Sequence, residues 1–269
     1  MYLLIGLFVG AIGTLVGAGG GFILMPIFFY LFPEKSVVEL TSISLAVVFL
    51  NACSGSVSYV RKKRVDFKSA LIFSAAAIPG AISGVFVTQL ISRRIFDPIF
   101  GVLLCLVGLY LYFNPVRKPH ESNSNALKGK FHRQVTDSEG KKYLYSFNLN
   151  TGIIVSIFIG FLASLLGIGG GIIHVPLMSL ALDFPILIAT ATSHLILVIT
   201  SLVGTITHLI NRDIKDFSII ITMAPGVVIG AQIGAKLSNK VKGAFIVKTL
   251  ALAIVLVGIR LIYFNLRVV

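Results

Sequence analysis

Gly17, Gly19, Gly20 and Gly21 fall within five residues and Pro26 follows; Gly167, Gly169, Gly170 and Gly171 repeat that spacing ahead of Pro176. Glycine turns a chain where other residues cannot and lets a second backbone come close. A helix that starts just after such a turn aims unpaired amides, and the positive end of its dipole, at whatever lies before it. The chemistry open to these residues is recognition of an oxyanion by backbone N–H groups. Either copy alone reads better as close packing of helices through small residues. Two copies at matched positions favour the anion reading.

Hydroxyls and one amide supply candidate partners. Thr41 and Ser42 open one apolar stretch, Thr192 and Ser193 another, and one hydroxyl in each pair is a candidate helix cap. Asn51 lies mid-stretch, where an unpaired amide is costly; it either bonds a neighbouring helix or faces a polar path. His174 sits inside the second glycine motif, His194 follows Thr192 and Ser193, and His208 comes later; their counterparts in the first half are Leu24, Ile43 and Tyr59. A histidine can donate to an anion or titrate near neutral pH. Taken singly, each reads as a packing histidine bonded to a carbonyl. The acids are informative by position: all ten fall at the ends of apolar stretches, in loops or in the polar middle. A carboxylate relay deep in a membrane is therefore not expected, and a site without carboxylates suits an anion. The candidate binding set is Gly17, Gly19, Gly20, Gly21, Thr41, Ser42, Asn51, Gly167, Gly169, Gly170, Gly171, His174, Thr192, Ser193 and His194.

Enzymatic signatures are missing. There is no HExxH, no GxSxG and no P-loop lysine, and no cluster has metal-ligand spacing. GAGGG lacks the strand and distant acid of a dinucleotide site. No catalytic residue, metal or cofactor is expected.

The elements that must hold these residues follow from composition. The chain is 56% hydrophobic and 12% charged, whereas soluble domains run nearer about a quarter charged. Apolar runs at 1–32, 40–60, 67–91, 95–113, 149–182, 185–210, 217–237 and 244–264 read as membrane segments. The first is not a signal peptide, because it lacks a basic start and its counterpart at 149–182 cannot be one. The formal charge of +13 fits basic residues at segment ends meeting anionic lipid; with no basic stripe interleaved with aromatics, nucleic acid is not an expected partner. Cys53 and Cys105 read as small apolar residues. Tyr59, Tyr110, Tyr112 and Tyr263 sit near segment ends as an aromatic belt would.

The chain reads as one unit used twice: residues 1–113, a polar linker at 114–148, and residues 149–269. Thr41-Ser42 aligns with Thr192-Ser193, Gly55 with Gly204, Asp66-Phe67 with Asp216-Phe217, and Pro79-Gly80 with Pro225-Gly226. Internal symmetry of this kind marks secondary transporters. The linker reads as soluble and cytoplasmic, flexible at 120–130, and Arg61–Arg64 place the preceding loop on the same side. Basic-residue counts do not separate inverted from parallel halves. Length favours inversion: 32 helical residues span about 48 Å against a hydrocarbon core of about 30 Å, so a glycine break makes a short-armed hairpin. The expected fold is an all-α polytopic membrane protein with two inverted repeats, each a glycine-broken hairpin plus three spanning helices.

These features resemble the sulfite exporter TauE/SafE family of membrane permeases. The resemblance rests on Gly17–Pro26 and Gly167–Pro176, the Thr-Ser pairs, and the Pro-Gly-x3-Gly segments at 79–84 and 225–230, and covers nearly all of the chain except the linker. It implies transport of sulfite, sulfonates or related small organic anions across a bacterial cytoplasmic membrane. The linker and the three histidines stand outside the pattern. The expected function is a secondary permease working by alternating access, with the glycine breaks as its central site. An anion channel on the same scaffold, and a non-transporting adaptor acting through the linker, are the alternatives. The expected partners are a small anion and membrane lipid, and self-association stays open.

Overall fold

The computed structural model describes residues 1–113, 131–238, 251–252, 255–256 and 258–263. Helices α1 (Tyr2–Val16) and α2 (Gly21–Leu31) flank the first glycine motif, followed by α3 (Val37–Arg61), α4 (Phe67–Leu90) and α5 (Arg93–Phe113). Strands β1 (Phe131–Thr136) and β2 (Lys142–Phe147) come next, then α6 (Leu149–Leu165), α7 (Gly171–Ala181), α8 (Ile186–Ile210) and α9 (Phe217–Leu237). Four of these helices, α3, α4, α8 and α9, are long and apolar enough to cross a membrane.

The helix ends follow local chemistry. Gly17 stops α1 in the left-handed conformation (φ 81°), and the amides of Gly17, Ala18 and Gly19 return to the carbonyls of Thr14 and Gly13. That motif satisfies the last carbonyls of the helix, and only glycine adopts it without strain. Ser36, rather than Thr41 or Ser42, caps α3, accepting from the Glu39 amide at 3.2 Å. Pro185 stands at the start of α8 with no side-chain cap, so Thr192 and Ser193 are free of that role. Asp66 and Asp216 cap α4 and α9.

Small residues let the helices touch backbone to backbone. A Cβ built on Gly226, Gly230 or Gly234 of α9 would lie 2.0, 2.2 or 2.1 Å from the carbonyl oxygens of Leu3, Leu7 and Ala11 on α1. The same contact recurs between α4 and α6, where Gly80 and Gly84 would stand 2.0 and 2.4 Å from the oxygens of Ile157 and Phe161. In both pairs the residue numbers rise together, so the helices run parallel. At the centre α3 and α8 cross antiparallel: Gly55 lies against His194, and Gly204 against Leu45. Gly101 of α5 meets Gly258 and Ile262, and Gly108 meets Val255 and Ala251, again with opposite directions.

Both glycine motifs fold back on themselves. The rings of Tyr2, at the start of α1, and Phe32, just past α2, are 6.1 Å apart. A Cβ on Gly152 in α6 would be 3.5 Å from Leu182, just past α7. Each pair of arms therefore starts and ends at the same depth.

The stretch expected to be a soluble linker is only partly so. Residues 114–130, including the segment expected to be flexible, lie outside the described residues, but 131–147 form an antiparallel hairpin pairing Phe131 with Phe147 and Thr136 with Lys142. Val135, Tyr143, Tyr145 and Phe147 are buried with Phe73, Met178 and Ile188 of the helices and Phe184 of the α7–α8 connection. The hairpin thus docks on the bundle through an apolar face. Tyr59 is a second correction: it is 2% exposed and donates to the Thr14 carbonyl at 2.7 Å, so it belongs to the core rather than to a lipid-facing belt. Tyr112 and Tyr263 are exposed. Cys53 and Cys105 are free thiols. Most of the apolar stretch at 244–264 lies outside the described residues.

Candidate functional site

The two glycine motifs meet. A Cβ on Gly21 would be 2.8 Å from Cα of Ile168 and 2.9 Å from the oxygen of Gly167; one on Gly171 would be 2.6 Å from the oxygen of Gly17. Gly19 and Gly169 both lie against Val48 and Leu197, near the middles of α3 and α8. From the first glycine to the residue before the next helix, the non-glycine member of each motif, Ala18 or Ile168, is also the one residue not in the left-handed region. Conformation accounts for Gly17, Gly19 and Gly20 and their counterparts, and close approach accounts for Gly21 and Gly171.

The breaks present buried amides. Those of Gly20, Gly21 and Phe22, and of Gly170, Gly171 and Ile172, find no backbone acceptor among the described residues. An α-helix leaves its first amides without internal partners, so α2 and α7 each open with donors next to the other break.

Hydroxyls bracket the contact symmetrically. Ser44 donates to the Gly167 oxygen at 2.6 Å and Ser193 to the Gly17 oxygen at 3.4 Å. Thr41 is the residue a Cβ on Gly167 would strike, and Thr190 the residue a Cβ on Gly17 would strike. The spatial partners are therefore Thr41 with Thr190 and Ser44 with Ser193, not Thr41-Ser42 with Thr192-Ser193. A single spacing of 149 residues relates these pairs and also Gly55 to Gly204. Ser44 and Thr190 were missing from the sequence-derived set, and aligning on Gly55 and Gly204 finds them.

The remaining candidates are dispersed. Ser42 donates to the Glu39 carbonyl of its own helix at 2.8 Å. Thr192 accepts from the Asp66 amide at 3.1 Å, beneath the hairpin. His174 Nε2 is 3.3 Å from Ser156 Oγ, joining the arms α6 and α7. Asn51 and His194 come together around Thr14, which the sequence did not single out. Thr14 Oγ1 donates to Asn51 Oδ1 at 2.8 Å, and His194 Nε2 lies 3.4 Å from the same hydroxyl. Asn51 Nδ2 and His194 Nδ1 are buried without a hydrogen-bond partner among the described residues. The Tyr59 ring meets the His194 ring edge-on at 5.3 Å.

One end of the bundle is clamped. The Asp66 carboxylate, with no exposed side-chain surface, accepts from Arg133 Nε at 2.9 Å, from Arg133 Nη2, from Ser69 Oγ at 2.6 Å and from Tyr145 Oη at 2.7 Å. Burial pushes the Asp66 carboxyl up, but the hydrogen bonds from Arg133, Ser69 and Tyr145 outweigh it and hold it below the usual aspartate range. Burial and the adjacent carboxylate push the Tyr145 phenol well up. Arg64 pairs with Asp137 at 3.5 Å, and the Ser138 amide donates to the Lys62 carbonyl at 3.0 Å. Asp216, the counterpart of Asp66, is 36% exposed and lies 3.8 Å from Lys35. The two ends of the bundle are thus chemically distinct.

Long apolar helices, backbone contacts through glycine and polar groups turned inward define a multi-pass membrane protein. The family model described as sulfite exporter TauE/SafE matches residues 2–261, and the chain belongs to that family. It is 32% identical over 265 residues to the probable membrane transporter protein YunE of Bacillus subtilis, covering 96% of this chain and 95% of that one. It is 26% identical over 254 residues to a probable membrane transporter protein of Methanocaldococcus jannaschii, covering 90% and 86%. A probable membrane transporter protein of Xylella fastidiosa is 24% identical over 226 residues, covering 84% and 79%. No solved structure matches the chain.

Proposed function

We propose that the protein is a gradient-driven permease for a small anion, sulfite, a sulfonate or a related organic anion, working by alternating access in the cytoplasmic membrane. The observation that carries this reading is the contact of the two glycine breaks at mid-depth, each opening a helix whose first amides have no backbone acceptor among the described residues. Such amides and the dipoles behind them are the backbone's own anion donors. Irregular backbone at membrane depth is tolerated where it is buried in protein or lines a cavity.

Inverted repeats fit the geometry. The antiparallel crossing of α3 and α8, the fold-back of both glycine motifs, and the reciprocal pairs α1 with α9 and α4 with α6 are what a two-fold axis in the membrane plane produces. The contact between the breaks leaves no room for an anion between Gly21 and Gly167, so the site would form as the halves part toward one side. Thr41, Ser44, Thr190 and Ser193 are placed to join the amides. The clamped end, with Arg61–Arg64, is assigned to the cytoplasm by its basic residues.

Counterflow in liposomes tests the reading, using labelled sulfite, methanesulfonate and acetate. Saturable counterflow of one of these, lost in Gly20→Leu and Gly170→Leu proteins that still insert, is expected. Flux that neither saturates nor exchanges assigns an anion channel instead. Unchanged counterflow in both variants removes the breaks from the site.

A further inference from the structure

His208, in the last turn of α8, is fully buried, and its Nδ1 lies 2.7 Å from Asp213 Oδ2. Gln89 of α4 donates to the same carboxylate at 3.1 and 3.4 Å. A carboxylate held by donors is an acceptor, so the proton of the neutral imidazole sits on Nδ1. Nε2, on the far side of the ring from the loop, is buried without a partner among the described residues. Two more polar atoms on this flank of α8 are also buried and unpartnered among the described residues. Thr205 Oγ1 lies one turn earlier, and Ser164 Oγ of α6 stands 3.2 Å from where a Gly204 Cβ would be. Tyr59 occupies the matched place on α3, and there the hydroxyl is engaged by the Thr14 carbonyl. The second half has a titratable group with an open ring nitrogen where the first half has a closed hydrogen bond.

The charged surroundings are few. Along α8 there is no Asp, Glu, Lys or Arg, and α6 has none either. From α4 the facing group is the uncharged Gln89. The nearby end of α3 holds Glu39, which is paired with Lys35, and Asp216 at the start of α9 lies 3.8 Å from that same Lys35. Arg212 and Lys215 lie in the connecting loop with Asp213. Arg212 and Lys215 carry fixed positive charge, so the group here whose protonation changes near neutral pH is His208, held by Asp213.

We infer that His208 and Asp213 form the proton-coupling site of the permease, at the mouth opposite the hairpin, where a monoanion and a proton bind together. With Nδ1–H held by Asp213, the neutral ring offers an anion only a lone pair, and the pair carries a charge of minus one. A proton taken from that mouth onto Nε2 makes the pair neutral and creates an N–H donor on the same flank of α8 as the Thr205 and Ser164 hydroxyls. A monoanion then binds Nε2–H, and one proton travels with each anion. This rests on the permease reading, and it names the coupling ion that reading leaves open.

The test uses purified full-length protein in liposomes with labelled methanesulfonate, whose charge is constant across the working pH range, and valinomycin to clamp the potential. Counterflow without a pH gradient reads the permease. Accumulation under an imposed gradient, with a luminal pH dye, reads the coupling; one-to-one symport has a limit of about tenfold accumulation per pH unit. Wild type is expected to accumulate the sulfonate and acidify the lumen together. In His208→Gln the protons carried per sulfonate should fall to zero whatever the residual rate. In Asp213→Asn the profile of driven uptake should move to more acidic pH, by about one unit or more, because the carboxylate that favours the charged ring is gone. Counterflow in wild type without driven accumulation overturns the coupling and leaves the permease standing. Driven accumulation by His208→Gln, or an unmoved profile in Asp213→Asn, also overturns it. Absence of counterflow with methanesulfonate, sulfite and acetate overturns both readings.

Discussion

A Cβ built on Gly171 would stand 2.6 Å from the carbonyl oxygen of Gly17, so each glycine break is the surface against which the other is packed. Gly171 is helical, so it is close approach by the Gly17–Ala18 backbone and the Leu197 side chain, not conformation, that forbids a side chain there. Gly171→Ala and Gly21→Ala should each force the breaks apart, at about 1–3 kcal/mol for overpacking. Both variants are expected to insert normally, melt several degrees lower in detergent and lose transport. A melting point within a degree of wild type would contradict the contact.

The serines on the breaks should be unequal. Ser44 holds the Gly167 carbonyl at 2.6 Å, whereas Ser193 reaches the Gly17 carbonyl only at 3.4 Å. Ser44→Ala leaves a buried acceptor with less compensation, a loss of about 1–3 kcal/mol. Ser193→Ala should cost clearly less. Thermal melts of the two single variants check the order, and a larger loss at Ser193 would reverse it.

Docking of the hairpin depends on one buried carboxylate. Arg133→Ala strips Asp66 of its charged partner, and breaking a buried ion pair costs about 3–5 kcal/mol. Because the Arg133 side chain is 22% exposed, the lower end applies. Tyr145→Phe removes one hydrogen bond and should cost nearer about 1.5 kcal/mol. Amide exchange across 131–147 should accelerate strongly in the first variant and mildly in the second. Equal protection in both would detach the hairpin from Asp66.

The same carboxylate sets an acid limit. Its pKa is below the ordinary aspartate value, as is that of Asp137, which burial pushes up and the Lys141 and Glu139 amides and Arg64 pull down further. A group depressed in the folded state stabilises the fold above its unfolded pKa and loses that contribution as pH falls through the folded one. Protection of the hairpin should hold from neutral pH to about 4 and decline below it. Release beginning near pH 6 would point to another titrating group.

The membrane segments were legible because their apolar runs are long and their ends carry turn and cap chemistry. Asp66 and Asp216, aligned by sequence, do cap equivalent helices. The hairpin was not legible, although Tyr143, Tyr145 and Phe147 alternate as a buried strand face should. Their apolar partners, Phe73 and Phe184, are distant in sequence, and the charged surroundings read as loop. In the candidate site, glycine spacing located the breaks, but matching Thr-Ser dipeptides slipped the register by two residues. Similar residue pairs recur often in such stretches, whereas Gly55 and Gly204 are fixed by contact with the opposite helix. Thr14 was overlooked because a lone threonine in an apolar run carries no signal until Asn51 is folded beside it.

The parallel pairing of α1 with α9 has a consequence for biosynthesis. Helix α1, with Gly6 and Gly10 bared for a neighbour, has its partner at Phe217–Leu237, about 200 residues further along the chain. At roughly 5–20 residues per second, that partner leaves the ribosome on the order of 10–40 seconds later. Until then α1 waits in the bilayer with its glycine face covered only by lipid or by another membrane protein. Helix α1 cannot reach its packed state until α9 has been made, so a late segment completes an early one.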